Sequence, residues 1–273
     1  MANRRKEFLL KPKLGMKVSS HFESINKEIL TKFGTYDLTN ELAFTFPNNT
    51  VTFHNISDGK FLYHRVSQNE EIKKIIQTDL AQARVELSPV LPLHIPSYKT
   101  DFFFLRFADP LFIGGLTTMK GQVWIPMEIG VFLADQTNPS AFDFFSCDFS
   151  NARFALYGSP LEGKLCKYAT TSLEADHSTL EPPIYAQLSI EIINELEEPA
   201  SVSKLVFPVI DHDLHFHGHD VVMGGLQGII KNTLGLQVME MRKNNLPIPN
   251  GWCLAPRDIQ KKNIDYSMEW GFS

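Results

Sequence analysis

The sequence predicts an all-β protein, an antiparallel β-sandwich-rich fold with one short N-terminal helix. Three observations carry that prediction. Short runs alternating apolar and polar residues recur along the chain and end at Gly, Pro, Asn or Asp. Phe is abundant at 21, beside 7 Tyr and 3 Trp in 273 residues, and aromatic residues favour pleated, half-buried surfaces. No repeat of roughly 20–50 residues recurs, so a solenoid or propeller is not expected.

Residues 1–33 read as a tail and a short helix. Ser20 and Glu23 have capping-box spacing, Phe22, Ile25, Ile29 and Leu30 recur at helical spacing, and Gly34 is a stop signal. Residues 34–96 read as a β-meander. Leu42–Phe46 ends at Pro47-Asn48-Asn49, Thr50–His54 ends near Ser57-Asp58-Gly59, and Lys60–Val66 follows. Glu70–Leu80 is ambiguous between helix and strand. Pro89, Pro92 and Pro96 fall close together, and proline removes a ladder donor. That stretch is expected to be a linker or a crossing between sheets rather than a central strand.

Residues 97–273 read as a C-terminal β-sandwich, so the fold is one unit or two packed β-domains. Phe102–Phe107 is nearly all apolar, which suits a strand buried on both faces or one at a sandwich core. Val123–Leu133 is a second apolar run, interrupted by Pro126. Ala141–Cys147, Phe154–Tyr157, Lys164–Ala169 and Val202–Ile210 are further strands. Ala186, Leu188, Ile190 and Ile192 alternate with Gln187, Ser189 and Glu191. Tyr266, Met268, Trp270 and Phe272 predict a last strand.

Composition narrows the function. The formal net charge is -5, so no nucleic acid partner is expected from the chain-wide balance. Arg4, Arg5, Lys6, Lys11 and Lys13 form one basic cluster, read as a solvated tail. Cys147, Cys166 and Cys253 are widely spaced and odd in number, which suits reduced thiols in the cytoplasm. No apolar run reaches the roughly 20 residues of a membrane span. There is no G-x-S-x-G elbow, phosphate loop, dinucleotide fingerprint or H-E-x-x-H. The common hydrolase, nucleotide-binding and dehydrogenase classes therefore lose their support.

One segment concentrates chemistry. Asp211 to Asp220 reads Asp-His-Asp-Leu-His-Phe-His-Gly-His-Asp and holds four of the nine histidines. On an extended strand, Asp211, Asp213, His215, His217 and His219 share one face. Neighbouring side chains on that face stand about 6.5–7 Å apart at the backbone, so two histidines can chelate one ion and all five groups cannot. A site for Zn, Ni or Cu needs a further ligand from another strand, with His54, His64, His94, His177, Glu128 and Asp143 as donors. His215-x-His217 is similar to a cupin metal pair, without the glycine and glutamate of that motif. The same run also fits a wet outer sheet face or a pH-responsive cluster. Glu128, among apolar neighbours, needs a partner if buried. Arg65, Arg106 and Arg153 are the expected ones. Tyr157-Gly158-Ser159-Pro160 is a turn signature.

Several segments in order resemble the DUF432 family of uncharacterised archaeal and bacterial proteins. They are Gly34-Thr-Tyr36, Tyr63-His-Arg65, Ser88 to Pro96, Pro126 to Phe132, Leu156 to Pro160 with Gly163 and Tyr168, and Val206-Phe-Pro-Val209. The resemblance covers about residues 34 to 272. It implies a β-rich fold and no activity. It also implies that an acidic, tyrosine-bearing strand replaces the His-x-His pair in other members, and a loose link to small mechanosensitive channels.

The leading expectation is a cytosolic, non-catalytic binding or accessory protein acting through protein–protein contacts, with a second copy of itself or a membrane channel among the candidate partners. The first alternative is a metal-binding protein or metal-dependent enzyme built on His215, His217 and His219 with Asp213 and Asp211. The second is a carbohydrate or small-ligand module using Trp124, Trp252 or Trp270.

Overall fold

The computed structural model describes residues 31–38, 41–78, 83–95, 98–134, 141–148, 153–173 and 184–257. The helix read at 20–32 falls almost wholly outside them, and the strand at 265–272 wholly so. Among the described residues the regular structure is strand, in four sheets.

The first sheet is the meander read from the sequence. It joins β2 (Glu41–Phe46), β3 (Asn49–Ser57), β4 (Lys60–Ser67) and β5 (Glu71–Gln77) in chain order, all antiparallel. The ambiguous stretch is thus a strand over Glu71–Gln77. Its Ile72, Ile75 and Ile76 fit a helical face, but pairing along β4 decides.

The second sheet runs β1 (Gly34–Asp37), β6 (Arg84–Val90), β9 (Glu128–Leu133) and β10 (Ala141–Phe145). Strands from both sides of position 96 therefore share one sheet. Pro89 lies within β6, opposite Ile129. The partner β1 reaches only Leu87, so Pro89 sits beyond the end of that ladder, where its missing N–H costs nothing. Aromatic side chains weld this sheet to the first: Phe142 lies 5.1 Å from Tyr63 and Phe145 lies 5.4 Å from Phe46, both edge-on.

The third sheet has the order β11 (Phe154–Tyr157), β12 (Lys164–Thr171), β7 (Phe102–Ile113), β14 (Ala200–Pro208). Strand β12 runs parallel to β7. Here the structure decides between the two expectations, in favour of a strand that lines the core with one face. Phe102–Phe107 is covered on one face only: Phe103, Leu105 and Phe107 are buried, while Phe102 and Phe104 are half-buried and Arg106 is exposed.

The fourth sheet runs β18 (Cys253–Leu254), β15 (His215–His217), β16 (Asp220–Thr233), β13 (Tyr185–Asn194), β8 (Thr118–Pro126), with β17 (Leu236–Asn244) also on β16. Strands β13 and β16 are parallel. The 123–133 run is two strands in two sheets, parted at Met127 after Pro126. The alternation in β13 holds as read, with Ala186, Leu188, Ile190 and Ile192 buried. Buried apolar residues from all four sheets form one continuous core.

Candidate functional site

The His-rich run does not form one extended face. Val209–Asp211 is a short 3-10 turn, His215–His217 is strand, Gly218 and His219 turn the chain at a positive φ of 64° for Gly218, and Asp220 already begins β16. Phe216 fills the core and ties this strand to Phe33, whose N–H donates to the Gly218 carbonyl at 3.0 Å. Its neighbours His215 and His217 therefore face outward, His215 half-buried and His217 exposed. The Nδ1 of His215 is buried without a hydrogen-bond partner. Trp252 lies 6.1 Å from the His217 ring.

The two carboxylates of the run serve other ends. Asp213 pairs with Lys243 at 3.1 Å and with Arg257. Burial works against its ionised form, but the Lys243 hydrogen bond and the two positive charges hold its pKa below the usual carboxylate range. Asp211 is exposed and lends its backbone carbonyl to Lys243. Among the described residues no group of three or more His, Cys, Asp or Glu stands in position to hold a metal ion. His54 and His64 face Glu41 and Glu71 in the first sheet, at 3.5 and 2.9 Å; His177 is outside the described residues.

The histidine that reaches another strand is His212. It is buried at 1% exposure, and it shares a small cavity with His94, Leu214 and Arg257. Burial lowers its pKa below the usual value. The signal was present in the sequence: His212 shares its parity with Leu214 and Phe216, the core side of the run.

His94 opens onto a fully buried polar centre built on Glu128. Glu128 starts β9, a strand buried on both faces, and is itself fully buried. Its carboxylate accepts the backbone N–H of His94 at 2.8 Å and of Ile95 at 3.2 Å. His94 Nδ1 stands 3.1 Å from the same carboxylate, and its ring stacks on Phe144 at 3.9 Å. Lys167, from β12, is 1% exposed; its ammonium lies 3.6 Å from Glu128 and donates to the Ile95 carbonyl. Burial lowers the Lys167 pKa, and Glu128 opposes that shift. Arginine is thus not the partner of Glu128. Arg65 instead binds Asp143 at 2.7 Å, with Tyr63 donating to the same carboxylate at 2.5 Å. Arg106 and Arg153 lie on the exterior. Lys167 escaped the sequence reading because a lysine in a short strand carries no signal of which face it takes.

Both buried centres act as fasteners. Glu128 clamps the proline-rich segment after β6 and links the second sheet to the third. Asp143 links β10 to β4 across the first two sheets.

The two clamps join residues that the sequence groups in Tyr63-His-Arg65, in Ser88 to Pro96, in Pro126 to Phe132 and near Tyr168. The chain matches, over residues 32–262, the family described as "Protein of unknown function (DUF432)". It belongs to the DUF432 family. No curated protein and no solved structure matches it. In this DUF432 chain no described helix is long and apolar enough to cross a membrane.

One end of the DUF432 fold has a different character. Backbone hydrogen bonds join the segment 195–199 to the turn from β7 to β8 and to the last part of β16, the strand that leads into the hairpin with β17. Leu116 N–H donates to the Leu196 carbonyl at 2.8 Å, and Glu195 N–H to the Ile230 carbonyl at 2.9 Å. Gly115 packs so closely on this segment that an added Cβ would lie 1.8 Å from the Glu197 carbonyl oxygen. Four large apolar side chains stand in the open here: Phe112 and Leu116 at 70% and 69% exposure, Leu234 and Leu236 at 99% and 69%. Leu116 and Leu234 also hold positive φ, 52° and 53°, a conformation that disfavours a branched side chain. Glu195, Glu197 and Glu198 are exposed on the segment that joins β13 to β14.

The three tryptophans do not make a cradle among the described residues. Trp124 lies on β8, separated from β15 by β13 and β16, while Trp252 borders His217. Trp270 is outside the described residues.

Proposed function

We propose that this DUF432 protein is a cytosolic, non-catalytic accessory protein whose contact surface is the leucine-bearing end of the fold. One observation carries the reading. Leu116 and Leu234 combine solvent exposure with a strained backbone, at turn positions where Asn or Gly would be relaxed. Folding alone favours neither property, whereas a partner surface that covers the side chains uses both. The partner fitted to this end is a protein with an apolar surface and a basic rim, complementary to Glu195, Glu197 and Glu198. A cytoplasmic domain of a membrane channel is one protein of that kind. Three unbridged cysteines agree with a reducing compartment.

The test uses light scattering and pull-down with the wild-type chain and a Leu116→Asn/Leu234→Asn variant. The wild type retains a discrete partner or a defined oligomer, and the variant loses it while staying folded. A wild type that is strictly monomeric and retains nothing, or a variant that retains the same partner, contradicts the reading.

A second reading keeps the metal. His215 and His217 share a face, and the buried Nδ1 of His215 has no partner. Elemental analysis of untagged protein then finds a stoichiometric Zn, Ni or Cu. Less than about a tenth of an equivalent, with no thermal shift on adding the ions, ends that reading.

A further inference from the structure

The outer face of the third sheet reverses the charge balance of the chain. The whole sequence holds 26 basic and 31 acidic residues. The strands β7, β11, β12 and β14 hold Arg106, Lys164, Lys167 and Lys204 against a single acid, Asp109. Lys167 points inward to Glu128, and the other three cations are exposed on the outside. Arg153, just before β11, is exposed as well. Asp109 and Glu162, in the β11–β12 turn, are the acids closest along the chain, and neither pairs with these cations among the described contacts.

Rings occupy the same face. The registers set Tyr168, Phe104 and Val206 in one row, and Thr170, Arg106 and Lys204 in the next. Phe104 lies 5.6 Å from Tyr168 and 6.3 Å from Tyr157. The Lys204 ammonium hovers 5.9 Å from the Phe104 ring and 5.6 Å from that of Tyr157. Lys164 sits 4.3 Å over Phe102. A hydrogen bond from Thr170, then the charges of Arg106 and Arg153, hold the Tyr168 phenol below its usual pKa. Beside this platform a groove of about 420 Å³ runs between β14 and β17. Tyr157, Lys204 and Val206 line it on one side, Met239 and Gln237 on the other, and Ser203 offers a hydroxyl. That volume is within the range of small-ligand pockets.

Alternating rings and cations on an open sheet face match the two halves of a single-stranded polynucleotide. Its bases stack on aromatic faces, and its phosphates attract Arg and Lys. The groove would receive a base turned off the sheet, with the Gln237 amide and Ser203 hydroxyl at its polar edge. A duplex hides its base faces and would gain only the charge component. Local arrangement outweighs the chain's net charge of -5, because at physiological salt a fixed charge acts over only about 8 Å. We infer that the outer face of this sheet, centred on Phe104, Tyr168, Arg106 and Lys204, binds single-stranded nucleic acid without strong sequence preference. This lies beyond the protein contact proposed above and uses none of its leucines.

Fluorescence anisotropy tests it on the full chain, with labelled 15-mers of oligo-U and oligo-dT, a 15-base-pair duplex, and free UMP as competitor. The single strands bind at micromolar protein in about 50 mM salt. Affinity falls on the order of tenfold by about 200 mM, as expected for roughly three neutralised phosphates. Arg106→Glu/Lys204→Glu, at exposed positions that leave the core intact, weakens binding by at least about tenfold. Tyr168→Ala weakens it by about tenfold through lost stacking, with thermal unfolding reporting its fold. Leu234→Asn leaves binding unchanged, which separates this site from the leucine-bearing end. The inference is overturned if neither single strand binds at 100 μM protein. It is overturned equally if the duplex binds as well as the strands and the ring substitution has no effect, or if UMP displaces the 15-mer at equal concentration.

Discussion

A buried carboxylate with one lysine and two backbone donors makes Glu128 the residue on which most depends. Removing its cation leaves a charge in the core, while removing both charges leaves a polar but neutral pair. Lys167→Met is therefore expected to lower unfolding free energy by about 3–5 kcal/mol. Glu128→Gln/Lys167→Met costs less than the single change, and urea unfolding of the set shows the recovery. His212 makes a pH prediction. Its folded pKa lies below the usual 6.5 because burial disfavours the imidazolium, with Lys243 adding to the shift and Asp211 and Asp213 opposing it. As pH falls below 6.5, the unfolded chain takes up a proton that the folded chain resists, so stability falls toward the lowered folded-state pKa. Above 6.5 this residue adds no pH dependence. His212→Gln removes that acid limb, and urea midpoints at about pH 7.5 and 5.5 differ less in the variant than in the wild type. Of these residues the sequence marked Glu128 as needing a partner, but not which one. Partner choice is a long-range property: Glu128 and Lys167 are brought together by two different sheets.

At the scale of elements, strands were legible and their neighbours were not. The alternations in β2–β4 and β13 each fix one buried face, and the structure keeps them. Phe102–Phe107 left two readings open, because an apolar side chain left half-exposed on an outer face has the same hydropathy as a buried one. The His-rich run misled. Period two was applied to the nine residues 211–219, of which only His215–His217 are strand, since the 3-10 turn before and the glycine turn after break the parity. Turns carry their own predictions. Leu116→Asn and Leu234→Asn each relieve a positive φ and are expected to raise stability by about 0.5–1 kcal/mol, read as a higher urea midpoint. Gly115→Ala pushes a methyl into the Glu197 carbonyl and costs at least about 1–3 kcal/mol. The same urea series checks it, and a neutral Gly115→Ala would deny the close packing of the two turns.

For the whole molecule, composition and periodicity predicted the all-β class, and the four sheets among the described residues agree with it. Sheet order stayed hidden. The parallel pairs β12–β7 and β13–β16 join strands separated by intervening elements, and local pattern does not encode which edge a returning strand selects. The sheet that combines residues 34–37 and 84–90 with 128–145 likewise depends on long-range pairing. Function follows the same division. The chemically dense run drew notice in the sequence, whereas the leucine-bearing end is assembled from three turns far apart in the chain, each unremarked alone. If that end is a contact surface, stability and binding part company there: asparagine at 116 and 234 gives a firmer fold and a weaker partner contact. Photo-crosslinking in the native cell, from a benzophenone side chain placed at position 234, tests this most directly. Position 161, on the turn at the opposite end and 97% exposed, serves as control. The account predicts one discrete adduct from 234, the same adduct from 116, and none from 161. No adduct from 234, or an identical pattern from 161, contradicts it.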